Sequence, residues 1–264
     1  TVISLIEFED KELLAVKKDR SAGEYCWTCT PSIIKYAIEK YDLDNCTYIE
    51  ADLYFFSNPA ILIDEMNKKS VLISEHRYSK EYDKSLKNGK YCVQFMTFKN
   101  DHNGMKALNW WRQSCIDWCY ARHEDGKFGD QKYLDDWTTR FDGVHVMQNL
   151  GGGIAPWNIQ QYKLEDNLFE LVFFHFHGFK FLFDNKVDLG GYKLRDEDIK
   201  IVYQPYLEHL EKIKSFIFTI DQDFYNNQSE NSDIQKDWRV FLKYFKRFLK
   251  RSYTVYDKNH ILRL

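Results

Sequence analysis

The stretch Tyr48-Ile49-Glu50-Ala51-Asp52-Leu53-Tyr54-Phe55-Phe56-Ser57-Asn58-Pro59 constrains this chain most. Apolar residues run up to two carboxylates, Glu50 and Asp52, and an aromatic run leads away from them. At the C-terminal end of a strand this spacing puts both acids on one face, since side chains at i and i+2 point the same way. Hard oxygen ligands at a strand end in an α/β sheet suit a divalent cation that itself grips phosphate. A bare acidic pair also occurs as a plain turn after a buried strand, so its meaning depends on its surroundings.

The totals narrow the field. A chain of 264 residues can bury a core as one large domain, or one domain with an appendage. Aromatic content of 17% excludes disorder and fits a cleft that stacks rings on sugars. A net charge of −3 offers nucleic acid no global attraction, so that partner class is excluded. Six cysteines without framework spacing point to a reducing compartment. With no signal-peptide pattern and no apolar run near ~20 residues, the expectation is a cytoplasmic protein, soluble or peripheral on the inner face of the membrane.

Taken in order, residues 1–8 read as a strand and 11–20 as a helix carrying Lys17, Lys18 and Arg20. Cys26 and Cys29 match a C-x-x-C pair, but Cys115 and Cys119 are spaced for a helix face, not for a second zinc knuckle. Thr30-Pro31 reads as N-cap and first residue of a helix bearing Ile33, Ile34, Ala37, Ile38 and Tyr41. A short helix follows at 61–66 and a buried strand at 71–74, ending at His76 and Arg77, which face an acceptor or close a loop salt bridge. Residues 82–90 are turn-like and 91–101 a strand. The spacing of Met105, Leu108, Trp111, Cys115, Trp118 and Cys119 predicts a helix over 104–123, with Trp110 and Trp111 as core residues or sugar platforms.

Asp130 has the character of an N-cap to the helix that follows it. Residues 144–147 form a strand running into Gly151-Gly152-Gly153, a run that permits close backbone approach and offers N–H groups to an anion. In a strand over 171–178, His175 and His177 share a face about 7 Å apart, and one imidazole beside carboxylates suits Mn²⁺. The tail reads as a hairpin over 184–195 around Gly190-Gly191, a helix over 205–218 and a polar loop over 222–233. A basic amphipathic helix then spans 234–251, with Ile234, Trp238, Phe241, Leu242, Phe245, Phe248 and Leu249 as its stripe. Such a helix either lies on an anionic membrane or docks its apolar face on the domain.

Several of these segments together resemble bacterial GT-A nucleotide-diphospho-sugar transferases, distantly similar to glycogenin and the lipooligosaccharide galactosyltransferases. Residues 48–59 resemble the family's Y-[LI]-D-A-D-L-Y-F-F-S-N-P, with Glu50 in place of its usual Asp. Residues 91–101 resemble Y-N-V-G-[WF]-[MV]-x-F-K-N-D, with Cys92 and Gln94 departing from it. Phe128-Gly129-Asp130-Gln131-Lys132-Tyr133-Leu134 resembles F-x-D-Q-x-Y-L, and Ala155-Pro156-Trp157-Asn158 continues the likeness. His175-Phe176-His177-Gly178-Phe179-Lys180 resembles H-x-x-G-x-x-K, with Lys180 one residue early.

The resemblance covers roughly residues 2–180. It implies an α/β, GT-A-like (Rossmann-like) domain with a mixed, mostly parallel sheet flanked by helices over 1–183, and a hairpin and helical extension over 184–264. The family's usual first nucleotide-binding βα unit has no counterpart before residues 2–5, which implies either a truncated chain or a naturally shortened relative. The implied activity moves a sugar, with retention, from a UDP-type nucleotide donor to a glycan or lipid-linked acceptor in polysaccharide biosynthesis.

In that picture Mn²⁺ or Mg²⁺ is held by Asp52, Glu50 and His175 or His177. Asp130 and Gln131 orient sugar and acceptor, and Lys180 approaches the leaving diphosphate. Arg20, Thr28, Gly152 and Gly153 flank the donor, with Thr30 another nearby hydroxyl. Two rival readings are a non-catalytic carbohydrate-binding or scaffold relative, and a zinc module at Cys26 and Cys29.

Overall fold

The computed structural model describes residues 1–166, 168–222 and 238–264, without the side chains of residues 238–241 and 243. The predicted polar loop lies outside the described residues from residue 223 onward, as do residues 234–237 and the Trp238 and Phe241 side chains of the predicted stripe. The chain forms an α/β fold in two compact units, one of Thr1–Gly153 with Leu171–Phe173, the other of Ile154–Glu170 with Phe174–Leu264. No described helix is long and apolar enough to cross a membrane.

The first unit is built on helices α1 (Leu5–Phe8), α2 (Lys11–Lys17), α3 (Ala22–Tyr41), α4 (Ala60–Asp64), α5 (Ser85–Asn88), α6 (His102–Asp117) and α7 (Trp137–Arg140). Its strands are β1 (Asn45–Ile49), β2 (Leu53–Phe55), β3 (Val71–Glu75), β4 (Tyr91–Lys99) and β5 (Val144–Val146). Four of them form a sheet in the order β1-β4-β3-β5. β3 and β5 pair parallel, while β4 runs antiparallel to both β1 and β3. Three strands thus share a direction, but the reversed one lies between two of them, so antiparallel pairings outnumber parallel ones where a mostly parallel sheet was expected.

The sheet is covered on both faces. Ile34 and Ile38 of α3 and Leu108, Trp111 and Cys115 of α6 pack with Val71, Ile73, Val93 and Phe98. Leu62, Met66, Leu72, Phe95 and Met147 form a second cluster. Alternation along β3 divides the two, since neighbouring strand residues point to opposite faces. Register breaks between Leu72 and Ser74, where β4 carries extra residues. Phe95 joins the second cluster there, while Val93 and Met96 stay in the first.

Two local expectations in this unit are corrected. Residues 1–8 hold a short helix instead of a strand, because Ser4 caps it: the Ser4 N–H donates to the Glu7 carboxylate at 2.7 Å. The long helix starts at Ala22, not at Thr30-Pro31. Ser21 is its N-cap, with its N–H and hydroxyl both on Glu24 Oε2 at 2.8 and 2.7 Å, a capping box. Pro31 sits inside α3, and the Thr30 hydroxyl donates back to the Cys26 carbonyl at 3.3 Å.

In the second unit β7 (Phe179–Phe181), β8 (Lys186–Leu189) and β9 (Val255–Asp257) form an antiparallel sheet in that order; β6 (Phe173–His175) precedes them. Helices are α8 (Asp196–Asp198), α9 (Gln204–Ile220), α10 (Trp238–Leu249) and α11 (Lys258–Ile261), with a π-helical turn Ile199–Tyr203 leading into α9. The hairpin joins β7 to β8 and turns at Asp184 and Asn185, both at positive φ, instead of at Gly190-Gly191. Asp and Asn tolerate that conformation because their short polar side chains bond locally.

The position of α10 is also corrected. Arg247 is 8% exposed and grips the buried Asp188 of β8 with two hydrogen bonds, 2.7 and 2.6 Å, and the Thr254 hydroxyl with a third at 2.9 Å. Phe245, Phe248 and Leu249 remain exposed. Among the described residues, the helix is held by Arg247 of its basic face.

Candidate functional site

In the first unit the end of β1 delivers Glu50 as expected. Its backbone N–H donates to the Gln94 carbonyl at 3.0 Å, and a turn closed by Leu53 N–H on the Glu50 carbonyl at 3.3 Å sets Asp52 beside it. Gln94 lies on the irregular part of β4, fully buried, with its amide on the Ser74 hydroxyl at 3.2 Å. The Gln94 side chain thus ties β4 to β3, while its backbone carbonyl holds Glu50.

Asp130 reaches the same place from 80 residues away in sequence. It is 5% exposed, and the Trp111 indole N–H donates to its backbone carbonyl at 2.9 Å. It does not cap an α-helix, because only a 3₁₀ turn, Lys132–Asp136, follows it. Burial pushes its carboxyl up to about 7, opposed by hydrogen bonds from its own and Gln131's N–H groups. Glu50 is pushed up to about 9, first by burial and then by the charges of Asp52 and Asp130. Glu50 thus feels the charges of both other carboxylates. The Cys92 thiol, raised by burial, also feels Glu50, Asp130 and Asp52, and Cys26 feels Asp130 and Glu50.

The remaining predicted residues of this unit have structural engagements. Arg20 is nearly buried, with Nη2 on the Ile116 carbonyl at 3.2 Å and its guanidinium over the Tyr120 ring at 3.8 Å. Thr28 is buried with its hydroxyl on the Glu24 carbonyl at 2.8 Å, and the Gln131 amide donates to the Asn88 carbonyl at 2.7 Å. A Cβ on Gly152 would meet Met147 Sδ at 2.4 Å, so core packing dictates that glycine, while Gly153 holds a φ of +89°. Arg77 fixes the glycine loop through the carbonyls of Met147, Asn149 and Gly152, at 2.8 to 3.2 Å. From the opposite side the Glu65 carboxylate accepts the N–H groups of Gln148 and Asn149. Trp110 and Trp111 belong to the core cluster.

The second unit carries the imidazoles. The predicted strand is shorter than 171–178, yet the two rings do gather on one side, with centroids 5.8 Å apart. Both lie edge-on to Trp157, at 5.1 and 5.5 Å. His175 is buried and its N–H donates to the Ile154 carbonyl at 2.9 Å, whereas His177 is exposed. The chain turns sharply after His177 because Gly178 has a φ of +80° and lies against Gly190, where a Cβ would meet the His177 carbonyl at 2.7 Å. Lys180 is exposed on β7.

Sequence reasoning missed the role of Trp157 as the brace for both imidazoles. The signal was there in its burial-prone aromatic character four residues after the glycine run. Cys26, for which the sequence suggested a buried thiol by default and a metal or redox thiol as the alternative, is exposed and feels the charges of Asp130 and Glu50. Cys29 does not support that chemistry: it packs with Leu13, Tyr25 and Ile116, and burial pushes its thiol up to about 11. All six cysteines are free.

Compared with known proteins, the chain is 33% identical over 228 residues to YfnD of Bacillus subtilis (strain 168), covering 80% of this chain and 72% of YfnD. It is 30% identical over 240 residues to YfnF of the same organism, covering 84% of this chain and 78% of YfnF. Both relatives are named as uncharacterized proteins. No family model matches the chain, and no solved structure matches it.

Proposed function

We propose that this chain, which belongs to the family of the Bacillus subtilis proteins YfnD and YfnF, is a glycosyltransferase of GT-A-like architecture. It moves a sugar from a nucleotide-diphosphate donor of the UDP type to a glycan or lipid-linked acceptor, aided by Mn²⁺ or Mg²⁺. The observation that carries the reading is the raised Glu50 carboxyl, which feels the charges of Asp52 and Asp130. A partly buried carboxylate that feels like charges is stable when protonated or when a cation lies beside it.

The donor chemistry fits such an ion. Asp52, His175 and His177 each offer one ligand atom of a kind that holds a metal. Carboxylate with imidazole favours Mn²⁺ over Mg²⁺, which prefers oxygen alone. When bound, the cation supplies neutralisation of the charge that grows on a departing diphosphate.

The chain's own groups do the rest. Glu50, once ionised, adds a further carboxylate to the cluster. Asp130, titrating near neutrality, accepts or donates a hydrogen bond to a sugar or acceptor hydroxyl, and Gln131 extends that polar floor. Lys180, exposed on β7, brings positive charge toward phosphate.

Thermal stabilisation by Mn²⁺ and nucleotide release from a panel of UDP-sugars, run on the native chain and on Asp52→Ala, test this reading. The native chain is expected to melt higher with Mn²⁺ and to release nucleotide, and the variant to do neither. Equal signals from both proteins would overturn the proposed metal site, and Mn²⁺ binding without turnover of any nucleotide sugar would overturn the transferase.

A further inference from the structure

Among the described side chains of helix α10, the apolar ones are exposed. On the helical wheel Leu242, Phe245, Phe248 and Leu249 fall on one side, at i, i+3, i+6 and i+7. They are 37, 49, 67 and 65% exposed. Arg247 lies across the helix from them and is the residue drawn inward to Asp188. Tyr244 supports that inner side, its hydroxyl donating to Asp188 Oδ2 at 3.3 Å. An amphipathic helix normally turns its apolar stripe toward the core. Here a buried bidentate ion pair holds it the other way round.

We infer that this face of α10 docks on an anionic phospholipid bilayer. Charge complementarity selects that occupant. Lys246, Lys250 and Arg251 are exposed along and just beyond the stripe, and the helix carries no acidic residue in its first turn. The chain as a whole is net acidic, so the positive charge is local to this element. Aromatic and leucine side chains on one side, with lysines at the flanks, form the pattern of a helix lying flat in a headgroup layer. α9 repeats the outward spacing in the same unit, with Ile213, Phe216 and Ile220 at 42, 65 and 72% exposure. The inference is independent of the transferase reading, although a lipid-linked acceptor would lie at the same surface.

Co-sedimentation of the whole chain with vesicles tests it. Binding is expected to mixed phosphatidylglycerol and phosphatidylcholine vesicles at low ionic strength, with little to phosphatidylcholine alone and a marked loss in high salt. Replacing both exposed lysines, Lys246→Gln with Lys250→Gln, should weaken binding about 30-fold, given the contribution of each basic residue near an anionic surface. Phe248→Asp with Leu249→Asp should abolish it with little change in melting temperature, because both side chains are about two-thirds exposed. Absence of wild-type binding, or equal vesicle binding by wild type and both double variants, would overturn the inference. So would a wild-type dimer that the aspartate variant disperses, since a second copy would then hold the face. Nucleotide release from UDP-sugars in solution should be indifferent to all four substitutions, which separates this test from that of the transferase.

Discussion

Replacing Asp130 with Asn tests how strongly the first unit strains against its own acids. The carboxyl is 5% exposed and burial pushes it up to about 7, against an ordinary 3.8. The difference, 7 − 3.8 = 3.2, corresponds at 1.36 kcal/mol per unit to about 4 kcal/mol. Because the folded value lies above the unfolded one, the folded chain holds the extra proton between them. The penalty is absent below about pH 4, grows as pH rises and is complete above about pH 7. Asn keeps a side-chain oxygen for the two N–H donors and never ionises. Asp130→Asn should therefore gain up to about 4 kcal/mol over the native chain at about pH 8 and almost nothing at about pH 4. Urea unfolding at a series of pH values measures this, read through tryptophan fluorescence because Trp111 donates to the Asp130 carbonyl. A stability difference that does not change with pH, or a native chain more stable than the variant at the alkaline end, would refute the reasoning.

Other outcomes follow from the same geometry. Asp188→Ala strands the buried Arg247 guanidinium and should cost about 3–5 kcal/mol, with faster hydrogen exchange in α10; adding Arg247→Met should recover much of the loss. Gly191→Ala should lower the melting temperature, because its φ is +81° and a Cβ there would meet Arg247 Nε at 2.5 Å. Arg77→Lys loses the planar fork on the carbonyls of Met147, Asn149 and Gly152 and should cost about 1–3 kcal/mol, seen as a lower melting temperature and earlier proteolysis at the glycine loop. Elemental analysis should give the same metal content for the native chain and for Cys29→Ala, since that thiol is raised by burial among apolar side chains; loss of stoichiometric zinc in the variant would revive the zinc module.

What the sequence made legible was local and periodic. The stripe from Leu108 to Cys115 placed α6, the apolar run 71–74 placed β3, and the i, i+2 spacing brought His175 and His177 to one side. The start of α3 was misread because Thr30-Pro31 imitates a helix opening, although Ser21 and Glu24, three residues apart, carry the stronger capping box. The hairpin was misplaced because Gly190-Gly191 drew the eye, while Asp184 and Asn185 adopt the left-handed backbone instead. Contacts between distant segments left no periodic trace. Glu50 feels the charge of Asp130 across 80 residues, and Arg247 finds Asp188 across 59. The sequence displayed the stripe of α10 in full, yet the side it turns outward depends on that one distant carboxylate.

A helix fastened by a guanidinium hook does not draw its hold from grease. Its outward residues are then free to diverge between relatives, adjusting how firmly and to what the protein adheres, without loosening the scaffold beneath. Asp188 and Arg247, by contrast, must change together or not at all, so family members with very different outer faces on this helix should still share the hook.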